Sequence, residues 1–233
     1  MKQAEASMTA KICAFTRAYH SKYASNKVYD DYLAYEMIGV NCGAGLDTFS
    51  FRNTNKRIQI FELDHPNTHH FKVNRIKQLG WLIPNNVHYI SIDFEKQNMM
   101  EELIKVGFQP DKKTFFAILG VTYYLELESF AKIIQDMSQL TKKESIVVLD
   151  YPDRDLLDQE LNRMKILKNL THQFGEEMKG DMNRKELTKV LKANGFNLIQ
   201  SQDAKEIQSN LLGGSSLKAY NNINFITAKK ERQ

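Results

Sequence analysis

The sequence predicts an α/β protein built on an open, mostly parallel sheet, and three observations carry that reading. Short apolar runs of strand length alternate with helical stretches from residue 40 to residue 150, an order that gives parallel strands joined by right-handed crossovers. The first of these runs leads into a glycine turn, Gly43-Ala44-Gly45. Acids close several of the others, at Asp64, Asp93 and Asp150, and ligands bind outside the carboxyl ends of the strands in such a sheet.

The elements follow in order. Residues 4–23 carry Met8, Ile12, Phe15 and Tyr19 at spacings of four, three and four, a helical stripe. Arg17 lies off it, where a solvated helix arginine would lie. Residues 24–39 read as a polar turn and a short helix, after which Gly39 meets the first strand at Val40 abruptly. The second strand is Ile58 to Asp64, and His65-Pro66 opens a helix over about 67–79 with proline in its first turn. A third strand spans Val87 to Asp93, and a helix over 97–106 ends at Gly107. Phe115 to Leu119 is a continuous apolar run, as expected of a strand covered on both faces. The motif Gly120-Val121-Thr122-Tyr123-Tyr124-Leu125 and a helix over about 127–140 come next, then a fifth strand from Ser145 to Tyr151. Helices over roughly 154–173 and 183–194 precede the last two strands, Phe196–Ile199 and Asn222–Ala228, with a flexible glycine-serine loop at 212–216 between them.

The bounds exclude several classes. At 233 residues the chain fits one domain with a sizeable core. It divides into an N-terminal helical cap (1–39), a cofactor-binding core (40–151), a helical insertion (152–195) and C-terminal strands (196–233). A net charge of +4 is mild for this length, and the run Lys229-Lys230-Glu231-Arg232 reads as a solvated tail, so no nucleic-acid partner is expected. Cys13 and Cys42 cannot form a disulfide framework and lack metal-ligand spacing, so each reads as a small buried thiol and no metal is expected. The N-terminus lacks a signal peptide's apolar core, and no apolar run approaches the ~20 residues that span a bilayer. A cytoplasmic protein is expected.

The chemistry points to a nucleoside cofactor. Asp64 lies 21 residues after Gly43, the separation at which a carboxylate after the second strand takes a ribose diol beside a glycine turn. A dinucleotide fingerprint wants a third glycine, and Thr48 holds that place. Asp47 in the opening helical turn adds negative charge where a pyrophosphate would sit. A sulfonium cofactor without phosphate tolerates that charge, so S-adenosyl-L-methionine is favoured over NAD.

The successive segments NCGAGLDTFSFR, FELDHP, ISIDFE and LGVTYYLE, with the N-terminal ASMTAKICAFTRAYHS, resemble the motifs of the leucine carboxyl methyltransferase superfamily, in particular its bacterial branch of S-adenosylmethionine-dependent O-methyltransferases. The resemblance implies a class I methyltransferase fold, Rossmann-like, with seven strands, the last antiparallel. It implies that Arg17 grips the cofactor's carboxylate and that Gly43 lines its methionine end, with Gly45 of the same turn also among the cofactor-binding residues. Asp64 would hold the ribose, and Asp93 and Phe94 would flank the adenine. The chain departs from the pattern at Leu119, where relatives carry a glutamate, and in the short approach to Val40.

The reaction implied is O-methylation of a carboxylate or hydroxyl on a small molecule or peptide. A carboxylate acceptor is already ionised and needs only alignment, whereas a hydroxyl needs a base within hydrogen-bond reach. His65, Tyr123, Tyr124 and Tyr151 stand at strand ends, each read more readily as a wall or core residue, and no catalytic base is assigned. A nicotinamide-dependent oxidoreductase and a non-catalytic S-adenosylmethionine-binding module are the alternatives. Helix 154–173 serves either as a pocket cover or as a homodimer face.

Overall fold

The computed structural model describes residues 7–25, 27–38, 46–110, 112–142, 144–154, 161–214, 217–221 and 223–231. The chain divides into two compact units, one of residues 1–108 with 173–176 and one of residues 109–172 with 177–233. The expected first strand and its glycine turn, with Gly43, Gly45 and Cys42, lie outside the described residues.

In the first unit α1 spans Met8–Tyr23 and starts at Ser7, whose hydroxyl accepts the Ala10 amide. Its apolar stripe faces outward: Phe15 is 53% and Tyr19 58% exposed. The buried face is Ala14, Ala18 and Ser21. Small side chains let α2 (Ala34–Ile38) pack closely, and its Ala34 and Met37 join Ala14, Ala18, Leu46 and Ile76 in one core cluster. Arg17 thereby sits at the edge of a packed face and not in free solvent. Cys13 is exposed, contrary to the buried thiol expected of it.

A short helix α3 (Phe49–Arg52) leads to β1 (Ile60–Asp64), and α4 (Pro66–Gln78) crosses over to β2 (Val87–Ser91). The two strands pair in parallel, Ile60 opposite Val87 and Asp64 opposite Ser91. Proline stands in the first turn of α4 as its sequence position requires. Beyond β2, α5 (Met99–Lys105) starts at Asn98, whose side chain accepts the amides of Met100 and Glu101.

The second unit is a four-stranded sheet in the order β3 (Phe115–Ile118), β4 (Ile146–Pro152), β6 (Ile223–Lys230), β5 (Phe196–Gln202). Strands β3 and β4 are parallel, and β6 runs antiparallel to both its neighbours, as expected of the last strand. Six strands are present among the described residues where seven are expected. Strand β3 is not covered on both faces: Phe115 is 65% exposed and Ala117 is exposed, while Phe116 is half-buried and Ile118 buried, so among the described residues only one face of this strand is packed. Nor is Lys229-Lys230 a solvated tail. Lys230 donates its amide to the Ser145 carbonyl and its buried ammonium to the Asn194 carbonyl at 2.8 Å, which draws the chain end into the sheet.

Helices α6 (Leu127–Leu140), α7 (Leu161–Gln173) and α8 (Arg184–Ala193) match the expected helical stretches, the start of the second one excepted, since 155–160 lie outside the described residues. One further helix has no counterpart among the expected elements. Between β5 and β6, α9 (Ala204–Leu211) begins with a reciprocal cap in which Asp203 accepts the amides of Lys205 and Glu206 at 2.9 Å, while Glu206 accepts the Asp203 amide. Asp203→Ala is expected to lower stability by about 1 kcal/mol, read as a fall in the urea midpoint with unchanged slope; a change under about 0.3 kcal/mol would show that this cap does not matter to the fold.

Candidate functional site

The ends of β1 and β2 bring together the acids expected at a nucleoside. Asp64 closes β1, and its carbonyl accepts the Ile92 amide at 2.9 Å, which holds Asp93 and Phe94 beside it on the adjoining chain. Burial pushes the Asp64 carboxyl up to about 7, against the lowering effect of the His65 amide that donates to it at 2.7 Å and of Lys72. A desolvated carboxylate with so few donors favours ligand hydroxyls that can supply more.

Asp93 behaves differently. It lies in the turn after β2, where Lys96 donates to it at 2.7 Å and the Glu95 amide at 3.1 Å. These donors hold its carboxyl below the usual range, the lysine bond foremost. Phe94 follows, half-buried in the same turn. His65 caps the start of α4, its Nδ1 facing the Asn67 amide at 3.5 Å. The strand ends thus present a carboxyl of raised affinity for protons, a fixed carboxylate and an aromatic ring.

The third feature of the first unit is a buried charge network that sequence reasoning found only in part. Asp31, in the turn between α1 and α2, is fully buried. Its Oδ2 accepts Arg17 Nε at 3.2 Å; its Oδ1 lies 3.2 Å from Arg52 Nε and accepts the Thr48 hydroxyl. Arg52 Nε also donates to Thr48 Oγ1 at 2.9 Å, and its Nη2 reaches Asp47 at 3.3 Å. Asp47 meanwhile caps α3 by accepting the Phe49 amide at 3.0 Å. Thr48, which stands at the place of a third glycine, is buried with its hydroxyl inside this network. Arg17 Nη2 is buried and meets no hydrogen-bond acceptor among the described residues.

Lys72 fastens the same region. Its ammonium, on α4, bonds to Glu62 on β1 and to the Asp47 carbonyl at 2.7 Å. The segment 46–48 leading into α3 is thereby tied to the strand that ends in Asp64.

In the second unit Asp150 on β4 accepts the Gly120 amide at 2.7 Å and the Tyr123 hydroxyl at 3.3 Å, and its carbonyl accepts the Thr122 hydroxyl at 2.6 Å. Burial pushes its carboxyl up to about 6 despite those donors. Tyr123 is buried against Met178, with Tyr124 packed on the pair. Tyr151 is buried, and loss of solvent pushes its phenol up to about 12. Of the tyrosines considered as bases, Tyr123 and Tyr151 are buried in this unit and Tyr124 is half-buried beside Tyr123. Among the described residues no set of three or more His, Cys, Asp or Glu is gathered for a metal ion, and no helix is long and apolar enough to cross a membrane.

Residues 39–138 match the leucine carboxyl methyltransferase family. That stretch contains Gly43, Gly45, Asp64, Asp93 and Phe94 and stops short of Arg17 on the N-terminal side. Over its whole length the chain is similar to "Putative S-adenosyl-L-methionine-dependent methyltransferase YktD" of Bacillus subtilis, at 26% identity over 305 positions that cover 99% of this chain and 100% of the relative. The alignment is longer than the 233-residue chain, so the relative carries internal sequence with no counterpart here. Among solved structures, a SAM-dependent methyltransferase from Methanosarcina mazei is 12% identical with a TM-score of 0.48 over 74% of this chain and 82% of that one. The pyocyanin biosynthetic protein PhzM is 13% identical with a TM-score of 0.44, over 73% of this chain but only 42% of its own length.

Proposed function

We propose that the chain is an S-adenosylmethionine-dependent O-methyltransferase of the class I fold, acting as one domain on a carboxylate or hydroxyl of a small molecule or peptide. The observation that carries the reading is the buried, unmet Nη2 of Arg17 in the same unit as the acid-bearing strand ends. A nucleoside whose tail ends in a carboxylate supplies what both features lack. Arg17 would receive that carboxylate, Asp64 the ribose diol, and Asp93 with Phe94 the adenine amine and ring, with Gly43 and Gly45 along the methionine portion. The leucine carboxyl methyltransferase match and the full-length similarity to YktD support the same cofactor.

The cofactor supplies an activated methyl group, and the protein's part is alignment. His65 caps a helix, and Tyr123, Tyr124 and Tyr151 pack as core groups. With these four in structural roles, a carboxylate acceptor, which arrives ionised, is favoured over a hydroxyl that needs a base.

The test combines binding and turnover. S-adenosylhomocysteine is expected to raise the melting temperature while NAD does not, and labelled methyl is expected to pass from S-adenosylmethionine to a member of a panel of carboxylic acids. A shift with NAD alone, or with neither compound, overturns the reading. Binding without transfer to any acid or phenol would mark a non-catalytic module.

A further inference from the structure

We propose that Asp31 is a positioning residue that sets Arg17 and Arg52 side by side as a paired-guanidinium receptor for the methyl donor's carboxylate. This rests on the reading of the first unit as an S-adenosylmethionine site, and it adds two residues, Asp31 and Arg52, to that site.

The geometry is specific. Asp31 is 0% exposed, yet both of its oxygens are shared among Arg17 Nε, Arg52 Nε and the Thr48 hydroxyl. Each arginine meets it through Nε, which leaves the Nη ends of the two guanidiniums for other acceptors. Among the described residues Arg17 Nη2 is buried and unmet, and Arg52 Nη2 meets Asp47 at 3.3 Å and no other acceptor. Asp47 is 61% exposed, so solvent and salt weaken its hold on that arginine.

Among the described residues the two guanidiniums share one buried carboxylate, with only the exposed Asp47 beside it, and an unmet buried donor is costly, so a ligand anion would complete the network. A planar carboxylate suits guanidinium forks by bidentate bonding. Arginine also has much rotamer freedom to lose on binding, and a buried carboxylate that fixes Nε removes part of that loss before the ligand arrives. Three separate segments contribute: α1 supplies Arg17, the turn before α2 supplies Asp31, and α3 supplies Arg52 from its last position with Thr48 from just before its first.

Calorimetric titration with two nucleosides tests the assignment. S-adenosylhomocysteine carries the carboxylate, and 5′-methylthioadenosine lacks the amino-acid portion. In Asp31→Asn and in Arg52→Lys, affinity for S-adenosylhomocysteine is expected to fall by about tenfold to a hundredfold, while affinity for methylthioadenosine stays within about threefold. A merely structural role would weaken both ligands together, and that result, or no change in either, overturns the proposal. Should Asp31→Asn fail to fold, Arg52→Lys, which keeps the charge and alters the fork, decides by the same criteria. Wild-type protein that binds neither nucleoside overturns the cofactor reading and this assignment with it.

Discussion

Asp64→Asn is expected to stabilise the cofactor-free protein at pH 8 and, in the same protein, to weaken S-adenosylhomocysteine binding by about thirtyfold. The opposite signs come from one cause. Burial raises the Asp64 carboxyl to about 7 from an ordinary value of 3.8, so the folded protein holds this proton more tightly than the unfolded chain does. Stability from this group is therefore full below about pH 4, declines as pH rises from 4 to 7, and is lost above 7. Asparagine does not ionise and escapes the decline. The gain should be about 1–2 kcal/mol at pH 8, discounted from the full shift because Asp64 is only half-buried, and should vanish near pH 4.

With Asp64 at the ribose, as proposed, ligand binding would reverse the preference. A ribose diol donates to the carboxylate and favours its charged form, and an asparagine amide nitrogen cannot accept those bonds. Wild-type affinity for S-adenosylhomocysteine should accordingly rise with pH up to about 7 and level off, while Asp64→Asn should show a flat profile over the same range. Titrations at pH 5.5, 7 and 8.5 with matched unfolding curves check both halves. Equal affinity in the two proteins would remove Asp64 from the ribose.

The difference between Asp64 and Arg17 shows what a single sequence makes readable. Asp64 is marked by local spacing, an acid closing an apolar run 21 residues past Gly43, and the observed strand starts within two residues of the expected one. Six of the expected strands were legible for the same reason, since short apolar runs bounded by glycine, proline and asparagine change period at their ends. Arg17 depends on Asp31, 14 residues away, and Asp31 on Thr48, 17 residues further on. No periodicity records a partner contributed by another element. Periodicity also marked the large side chains of α1 as its face, although close helix packing selects the small ones, Ala14 and Ala18. In α9 the signal was present, as Asp203 and Glu206 at cap spacing, and lay in a stretch with too little apolar character to suggest a helix.

Gly180→Ala should be the most destabilising single-methyl change in the second unit, at about 3 kcal/mol. The glycine is not there for its conformation, since its φ is not in the left-handed region. It is there for space. A Cβ at 180 would stand 2.2 Å from the Thr122 carbonyl oxygen and 2.8 Å from two Tyr123 backbone atoms. Neither side can move away cheaply. The Gly180 amide donates to the Tyr123 carbonyl at 2.8 Å, and Thr122 is fixed by its 2.6 Å bond to the Asp150 carbonyl on β4. The methyl would have to break the first bond or drag the 122–124 turn off the strand that holds it. Gly120 offers the comparison: its φ is +70° with nothing within 4 Å of an added Cβ, so Gly120→Ala meets conformational strain alone, about 1–2 kcal/mol. Urea denaturation of the two variants should therefore rank Gly180→Ala below Gly120→Ala, with its melting point lowered by about 6–12 °C. The reverse order would mean that the 177–182 segment yields and that the turn after β3 is held by Asp150 without it.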